Sequence, residues 1–389
     1  MQENNSNINP NNIVLFSKPA GKTSFSSLFT IKKAFSTTKV GHTGTLDSFA
    51  EGLLVVCVGN LTRLAGKITE FDKSYKAVLL FGQETDTLEC TGSVIKTSPC
   101  PTEEALRASV QKFTSTYMQK PPLFSAIHID GKRASDVARK AFGKNAAGNT
   151  SGEAAGKTVL LETEKNAFGA ACQPPLEIPS RSVTVFSSEV EELMLDSEGL
   201  VRAALINFHV SKGTYIRSLA RDIAEDCGSA CHLIALRRTQ VGNFALENAA
   251  GFSLLKPFSI QYGFENAELM KKLEEEEKLR ASEREGNQEK KRQPYIPSAQ
   301  ELLLQEEVRQ KCRKMSPEIA QECGFDLLTL KKESEDWFSH GGKLSSKMFT
   351  VSPFTLEKNI AAVFSENLEF KGLLQKDENG YFKYSLVIN

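Results

Sequence analysis

Histidine and tryptophan are scarce in this sequence, with five and one in 389 residues, and the eight cysteines are scattered at 57, 90, 100, 172, 227, 231, 312 and 323. The closest pair, Cys227 and Cys231, has only His232 beside it. A zinc site would need two close pairs or a Cys/His cluster, so these read as reduced, mostly buried thiols and no metal is expected. Long apolar runs are missing as well. Stretches such as Leu53 to Val58 fall far short of the ~20 residues that span a bilayer. The segment Met1 to Asn12 is an Asn-rich polar tail without the basic-then-apolar pattern of a secretion signal. A cytoplasmic protein with no membrane partner is expected. Net charge is absent too, since 48 Lys+Arg meet 48 Asp+Glu. A surface that gripped nucleic acid all over would be basic, so neutrality speaks against such a partner unless the charges are unevenly placed.

They are unevenly placed. Residues 1–76 hold nine Lys/Arg and five Asp/Glu, residues 120–140 five and two, and residues 211–240 five and three. The opposite sign gathers elsewhere, as in Glu274 to Glu277. At about 150 residues per domain, the length allows two or three domains. Ile13 to Phe16, Leu53 to Val58 and Tyr75 to Phe81 read as strands, and Ser24 can cap a helix running to about Phe35. From about 144 to 175 the periodicity vanishes among Asn, Ala, Gly, Ser and Thr, as in a mobile surface insertion. Strands resume at Val183 to Phe186 and Leu200 to Val210. A helix follows from Thr214 to Cys227, which Gly228 is placed to stop. Residues 257–322 read as a charged helical linker or insertion. Phe349 to Val351, Ala361 to Phe364 and Phe382 to Ile388 predict a small β-rich C-terminal domain from 323. The fold class expected is α/β with a central mixed, mostly antiparallel sheet.

Two segments could carry chemistry. Gly21-Lys22-Thr23-Ser24 matches the tail of a phosphate-binding P-loop, but the glycine required five residues earlier is Phe16. The backbone then cannot wrap a triphosphate, and a strand, a Pro-Gly turn and a helix N-terminus are expected instead. The second segment runs from Lys39 to Leu54. In it three glycines and two threonines surround one aspartate, Asp47, and an apolar strand follows. Such a loop can hold a carboxylate at a sheet edge, although a lone loop Asp more often serves as a turn or cap.

Lys39 to Leu54 resembles the GHxGTLDxxAxGxL signature of the TruB family of pseudouridine synthases. Further blocks follow the family order. Lys18 to Ser24 resembles its KPxGxTS block, Asp72 to Ala77 its DKxYxA block, and Gly82 to Thr87 the next. Pro121 to Ala126 with Gly131-Lys132-Arg133 resembles its PPxYSA segment, and Ser211 to Arg217 and Leu233 to Arg238 its SKGTYIR and LRR blocks. The resemblance spans about residues 13–250, and Cys323 to Leu344 is similar to the family's PUA-like RNA-binding domain. The chain departs from the pattern at Ser17, Ser48, Phe49 and Glu51, which flank the aspartate.

The resemblance implies a tRNA pseudouridine synthase, an isomerase acting without metal or organic cofactor on uridine 55 in the T-arm stem-loop. It gives Asp47 the role of essential carboxylate, leaving open attack on ribose, attack on base, or abstraction of a ribose proton. Arg217 would pair with that carboxylate and Tyr75 would stack on the flipped base, with Leu236 as the apolar wall opposite. His42 would fill the space the base vacates, or bond its own loop. Lys18, Arg63, Lys132, Arg133 and Arg237 are candidates for phosphate contact. A monomer with no obligate protein partner is expected, of bacterial type by its PUA-like tail and short N-terminus. An RNA-folding factor without catalysis, or a synthase acting on another uridine, is the alternative.

Overall fold

The computed structural model describes residues 11–124, 128–129, 132–133, 178–285 and 295–388. The insertion expected at 144–175, most of the polar tail, and Ser125, Ala126, Gly131 and Cys172 lie outside the described residues. Two compact units divide the chain: 1–73 with 238–255 and 292–389, and 74–237 with 256–291.

In the first unit, strand β1 (Asn12–Lys18) pairs antiparallel with a later strand (Glu51–Val58), in register from Ile13↔Cys57 to Lys18↔Gly52. The short strand β2 (Val40–His42) pairs with that same strand, called β3, at His42↔Val56 and Val40↔Val58. Every residue of β1 and β3 is buried, which is why residues 13–16 and 53–58 read as unbroken apolar runs. Side chains alternate across a strand, so the two faces build two cores. Ile13, Leu15, Leu53, Val55 and Cys57 pack in one core with Met315, Ile319, Phe325, Phe364, Leu373 and Leu386. Val14, Phe16, Leu54, Val56 and Val58 pack in the other with Leu28 and Ile31 of helix α1 (Ser24–Ala34) and Val308 of the Ala299–Gln310 helix.

The break between Leu255 and Lys256 lies beside the boundary expected at 257, whereas no break falls at 323. The Ala299–Gln310 helix and the C-terminal strands complete cores begun by β1 and β3, so the part of the expected linker at 299–310 is packed structure of this unit. Four C-terminal strands form a second sheet in the order Asp326–Leu330, Ile360–Ser365, Phe370–Lys376, Phe382–Val387, the first pair parallel and the others antiparallel. The strand expected at Phe349 to Val351 is instead a single bridge, Leu330↔Phe349, after a 3-10 turn at Ser346–Met348.

In the second unit, β4 (Lys73–Phe81) stands in a sheet with Val201–Val210, Arg181–Leu195 and Thr116–Gln119, in that order. Tyr75, Ala77, Leu79 and Phe81 are buried, as their alternation predicts, with Val78 buried as well. The Ile216–Asp226 helix packs beside Glu103–Phe113, where Ser109 Oγ donates to the Ile223 carbonyl at 3.0 Å, and Gly228 at φ 70° ends it. The Ile260–Glu285 helix falls in this unit, with mostly exposed side chains over 271–280. The strand Cys231–Val241 divides between the units after Arg237. Among the described residues every cysteine is a free thiol, and burial pushes Cys57 and Cys323 up to about 12.

Candidate active site

β2 ends at His42 and β3 begins at Glu51, so the intervening loop must turn the chain within eight residues. Thr43 N–H donates to the Val55 carbonyl at 3.0 Å, and Ala50 N–H to the Asp47 carbonyl at 3.2 Å. From the first turn of α1, Ser24 Oγ accepts from Leu46 N–H at 2.8 Å and donates to the Leu46 carbonyl at 3.0 Å. Gly21 N–H donates to the Ser48 carbonyl at 2.8 Å. The P-loop-like segment therefore holds the reactive loop. The cap is Thr23 and not Ser24 as expected: its side chain accepts from Ser26 N–H, and Ser24 is the first helical residue, its hydroxyl taken by the loop. Gly52 sits at φ 108°, and a Cβ there would lie 2.4 Å from the Arg238 carbonyl oxygen. Only glycine fits that approach. Asp47 is carried half-buried on this scaffold.

Lys18 lies beneath the loop. It is fully buried, and its Nζ donates to the carbonyls of Lys22 at 2.5 Å, Ala50 at 2.6 Å and Pro19 at 3.0 Å, with Ser48 at 3.5 Å. Burial pushes its pKa from 10.5 down to about 7, against the pull of the Asp47 and Glu51 carboxylates, and Arg238 lowers it further. A lysine enclosed this way does not reach RNA phosphate, as had been expected of it. It fastens the turn after β1 to the loop of Asp47.

Arg238 is a residue the sequence reading passed over. Buried from solvent, it donates from Nε to the Leu53 carbonyl at 2.8 Å and from a terminal nitrogen to the Gly44 carbonyl at 3.1 Å. Its charge, added to burial, lowers the pKa of His42, whose Nδ1 is buried without a partner among the described residues. The Arg237-Arg238 doublet was visible in the sequence. What the doublet could not show is which of two neighbours on a strand faces the loop.

The remaining candidates belong to the second unit, Arg63 excepted. Tyr75 on β4 and Leu236 are buried. Arg217, in the first turn of the Ile216–Asp226 helix, is buried and donates to the carbonyls of Thr87 at 2.9 Å and Phe124 at 3.1 Å. That helix has no side-chain cap of its own; the buried Gln119 accepts from Tyr215 N–H at 2.8 Å and donates to the Tyr215 carbonyl at 3.2 Å. Arg221 donates to the Lys120 carbonyl at 3.0 Å, so residues 119–124 are tied to the helix at three points. Arg237 is buried with its guanidinium 4.7 Å from the Phe258 ring centre and 5.6 Å from that of Tyr262, and it donates to the Lys256 carbonyl at 2.7 Å. That placement withdraws it from phosphate. Arg63 is exposed on the Gly59–Leu64 turn, and the backbone of Lys132 and Arg133 pairs with Ile129 and His128. Among the described residues no group of three His, Cys, Asp or Glu side chains is gathered to share a metal ion.

The profile of a family described as TruB family pseudouridylate synthase (N terminal domain) matches residues 32–150, which include Asp47 and Tyr75. A protein named tRNA pseudouridine synthase B from Borreliella burgdorferi is 39% identical over 240 residues, 61% of this chain and 72% of its own length. The chain belongs to the TruB family. A TruB relative of the same name from Treponema denticola is 46% identical over 257 residues, 65% of this chain. One from Bordetella parapertussis is 36% identical over 248 residues, 63% of this chain and 86% of its own. The chain spans 66% of the length of the Treponema denticola protein and 63% of its Treponema pallidum counterpart. Among solved structures, that titled as a Cbf5-Nop10-Gar1 complex aligns with TM-score 0.55 at 19% identity, covering 98% of this chain and 84% of the other. One titled as an H/ACA RNP bound to a substrate RNA containing 2'-deoxyuridine gives 0.54 at 17%, covering 97% and 84%. The shared fold is the α/β pseudouridine synthase fold, a mixed central sheet with helices and a smaller C-terminal β-rich region resembling PUA-like domains.

Proposed function

We propose that this TruB protein isomerises uridine 55 in the T-arm of tRNA to pseudouridine. The reaction breaks an N-glycosidic bond, turns the freed uracil and forms a C–C bond to the same ribose, with no net hydrolysis or redox change. It calls for a fixed carboxylate near the anomeric carbon and a closed pocket for the detached base. One observation carries the reading: the family aspartate, Asp47, sits on a loop held from beneath by Lys18, from one side by Ser24 and through Gly44 and Leu53 by Arg238. A carboxylate that only capped a turn would not require three separate elements to aim it. Tyr75 and Arg217 keep the roles the resemblance gives them, the stacking ring and the compensating charge. No cofactor enters the scheme, and the working compartment is the cytoplasm, where tRNA is processed.

The test is pseudouridine mapping on an unmodified tRNA transcript incubated with the purified protein. The wild type should yield pseudouridine at position 55 and Asp47→Asn none. Equal product from Asp47→Asn, or none from the wild type, refutes the assignment; binding without product would leave an RNA-folding factor.

A further inference from the structure

The outer face of α1 has chemistry that the reactive loop does not use. Phe25 is 72% exposed and Phe29 41%, one helical turn apart. Tyr295, 46% exposed, meets Phe29 edge-on with ring centres 4.8 Å apart. Two ammonium groups stand over these rings: Lys32 Nζ at 4.8 Å from the centre of Phe25, and Lys33 Nζ at 5.3 Å from Phe29 and 5.6 Å from Tyr295. Helix burial does not explain the rings, because the buried side of α1 is Ser24, Ser27, Leu28, Ile31 and Ala34.

Charge narrows the partner. Between residues 4 and 46 the sequence has five lysines and no acidic residue. The acid beside the patch, Glu301, is occupied in the cap of its own helix, accepting from Ser298 N–H at 2.8 Å. The patch therefore suits a partner that is both anionic and flat-faced. Its place narrows the choice further, since Ser24, next to Phe25, is bonded to Leu46, next to Asp47. We propose that the Phe25, Phe29 and Tyr295 face is a stacking surface for RNA bases outside the target nucleotide, with Lys22, Lys32 and Lys33 on the adjoining phosphates. The rings take base faces without regard to sequence, and the lysines supply the salt-dependent part of the affinity. The proposal rests on the function given above and extends the tRNA footprint beyond the reactive loop.

The experiment measures equilibrium binding of an unmodified tRNA transcript over a range of salt, with pseudouridine formation by the wild type as a separate check. The double variant Phe25→Leu/Phe29→Leu should raise Kd about tenfold or more, by the loss of base–ring stacking. Phe25→Trp/Phe29→Trp should bind within about threefold of wild type, because it keeps the stacking faces. Lys32→Gln/Lys33→Gln should flatten the dependence of log Kd on log salt by about one to two. If the Leu and Trp variants bind alike while the wild type still makes pseudouridine, the face does not stack bases and the proposal falls alone. A wild type that self-associates, with the Leu variant monomeric and its tRNA affinity intact, would assign the face to a second copy and equally overturn it. A wild type that makes no pseudouridine would instead refute the function on which the proposal rests.

Discussion

Replacing Lys18 by methionine keeps the length of the side chain and removes only the ammonium. Three of its carbonyl partners lie within 3.0 Å. Hydrogen bonds from a charged donor contribute roughly 1.5–3 kcal/mol each, or about 4.5–9 kcal/mol for the set. Against that stands the cost of burying the charge. The fall in pKa from 10.5 to about 7 corresponds to about 5 kcal/mol, at roughly 1.4 kcal/mol per unit. The two effects nearly offset, so Lys18→Met should lose only about 0–4 kcal/mol of stability in a urea titration. Catalysis should suffer more, because the Ala50 and Ser48 carbonyls lose their anchor and Asp47 loses its aim. A misplacement of an ångström costs about a hundredfold, and a loss of that order is expected in single-turnover pseudouridine formation. The pH dependence has a definite sign. Folded Lys18, titrating at about 7, binds fewer protons than the unfolded side chain up to 10.5. Its contribution is therefore least favourable below about pH 7 and improves as pH rises toward about 10.5, by up to roughly 1.4 kcal/mol per unit. The stability gap between wild type and Lys18→Met should widen between pH 7 and 9. Parallel stability curves, or single-turnover rates within about twofold, would refute the reasoning.

Two further substitutions test the scaffold. Gly52→Ala puts a methyl 2.4 Å from the Arg238 carbonyl oxygen at φ 108°, and should cost about 2–4 kcal/mol in urea unfolding; a change under about 1 kcal/mol would show that the strand separates without strain. Gln119→Leu strands the N–H of Tyr215 at the start of the helix bearing Arg217, while the Tyr215 carbonyl keeps its bond from Leu219 N–H, and should cost about 1–3 kcal/mol. It should also lower kcat with little change in KM for tRNA, whereas a rise in KM alone would mean that Gln119 does not act through Arg217.

The sequence displayed what repeats along the chain and hid what closes across it. β1 and β3 were legible because residues 13–16 and 53–58 are apolar without interruption, and the loop of Asp47 because glycine and threonine crowd around one acid. Lys18 ends an apolar strand and looked like a surface charge. Its acceptors at Ser48 and Ala50 are backbone carbonyls about thirty residues away, and a carbonyl has no letter in a sequence. Arg237 and Arg238 looked interchangeable until the strand turned one toward Phe258 and the other toward Gly44. The strand Phe370–Lys376 escaped notice because lysines sit near both ends of a short apolar stretch whose core partners include Ile13 and Leu53.

That sharing of one core bears on when the protein becomes complete. One face of β3 is covered by α1, which precedes it in the chain, while the other packs with Leu61, Leu64 and Ile68, which follow it at once, and with Phe364, Leu373 and Leu386 near the far end of the chain. During synthesis the N-terminal strands emerge long before these last side chains, and until those arrive that face of β3 is covered only in part. Asp47 stands at the mouth of that strand. The strand that carries the Asp47 loop therefore has its core finished by the last part of the chain to be made, so a partly made chain holds the reactive residue on an incompletely packed sheet.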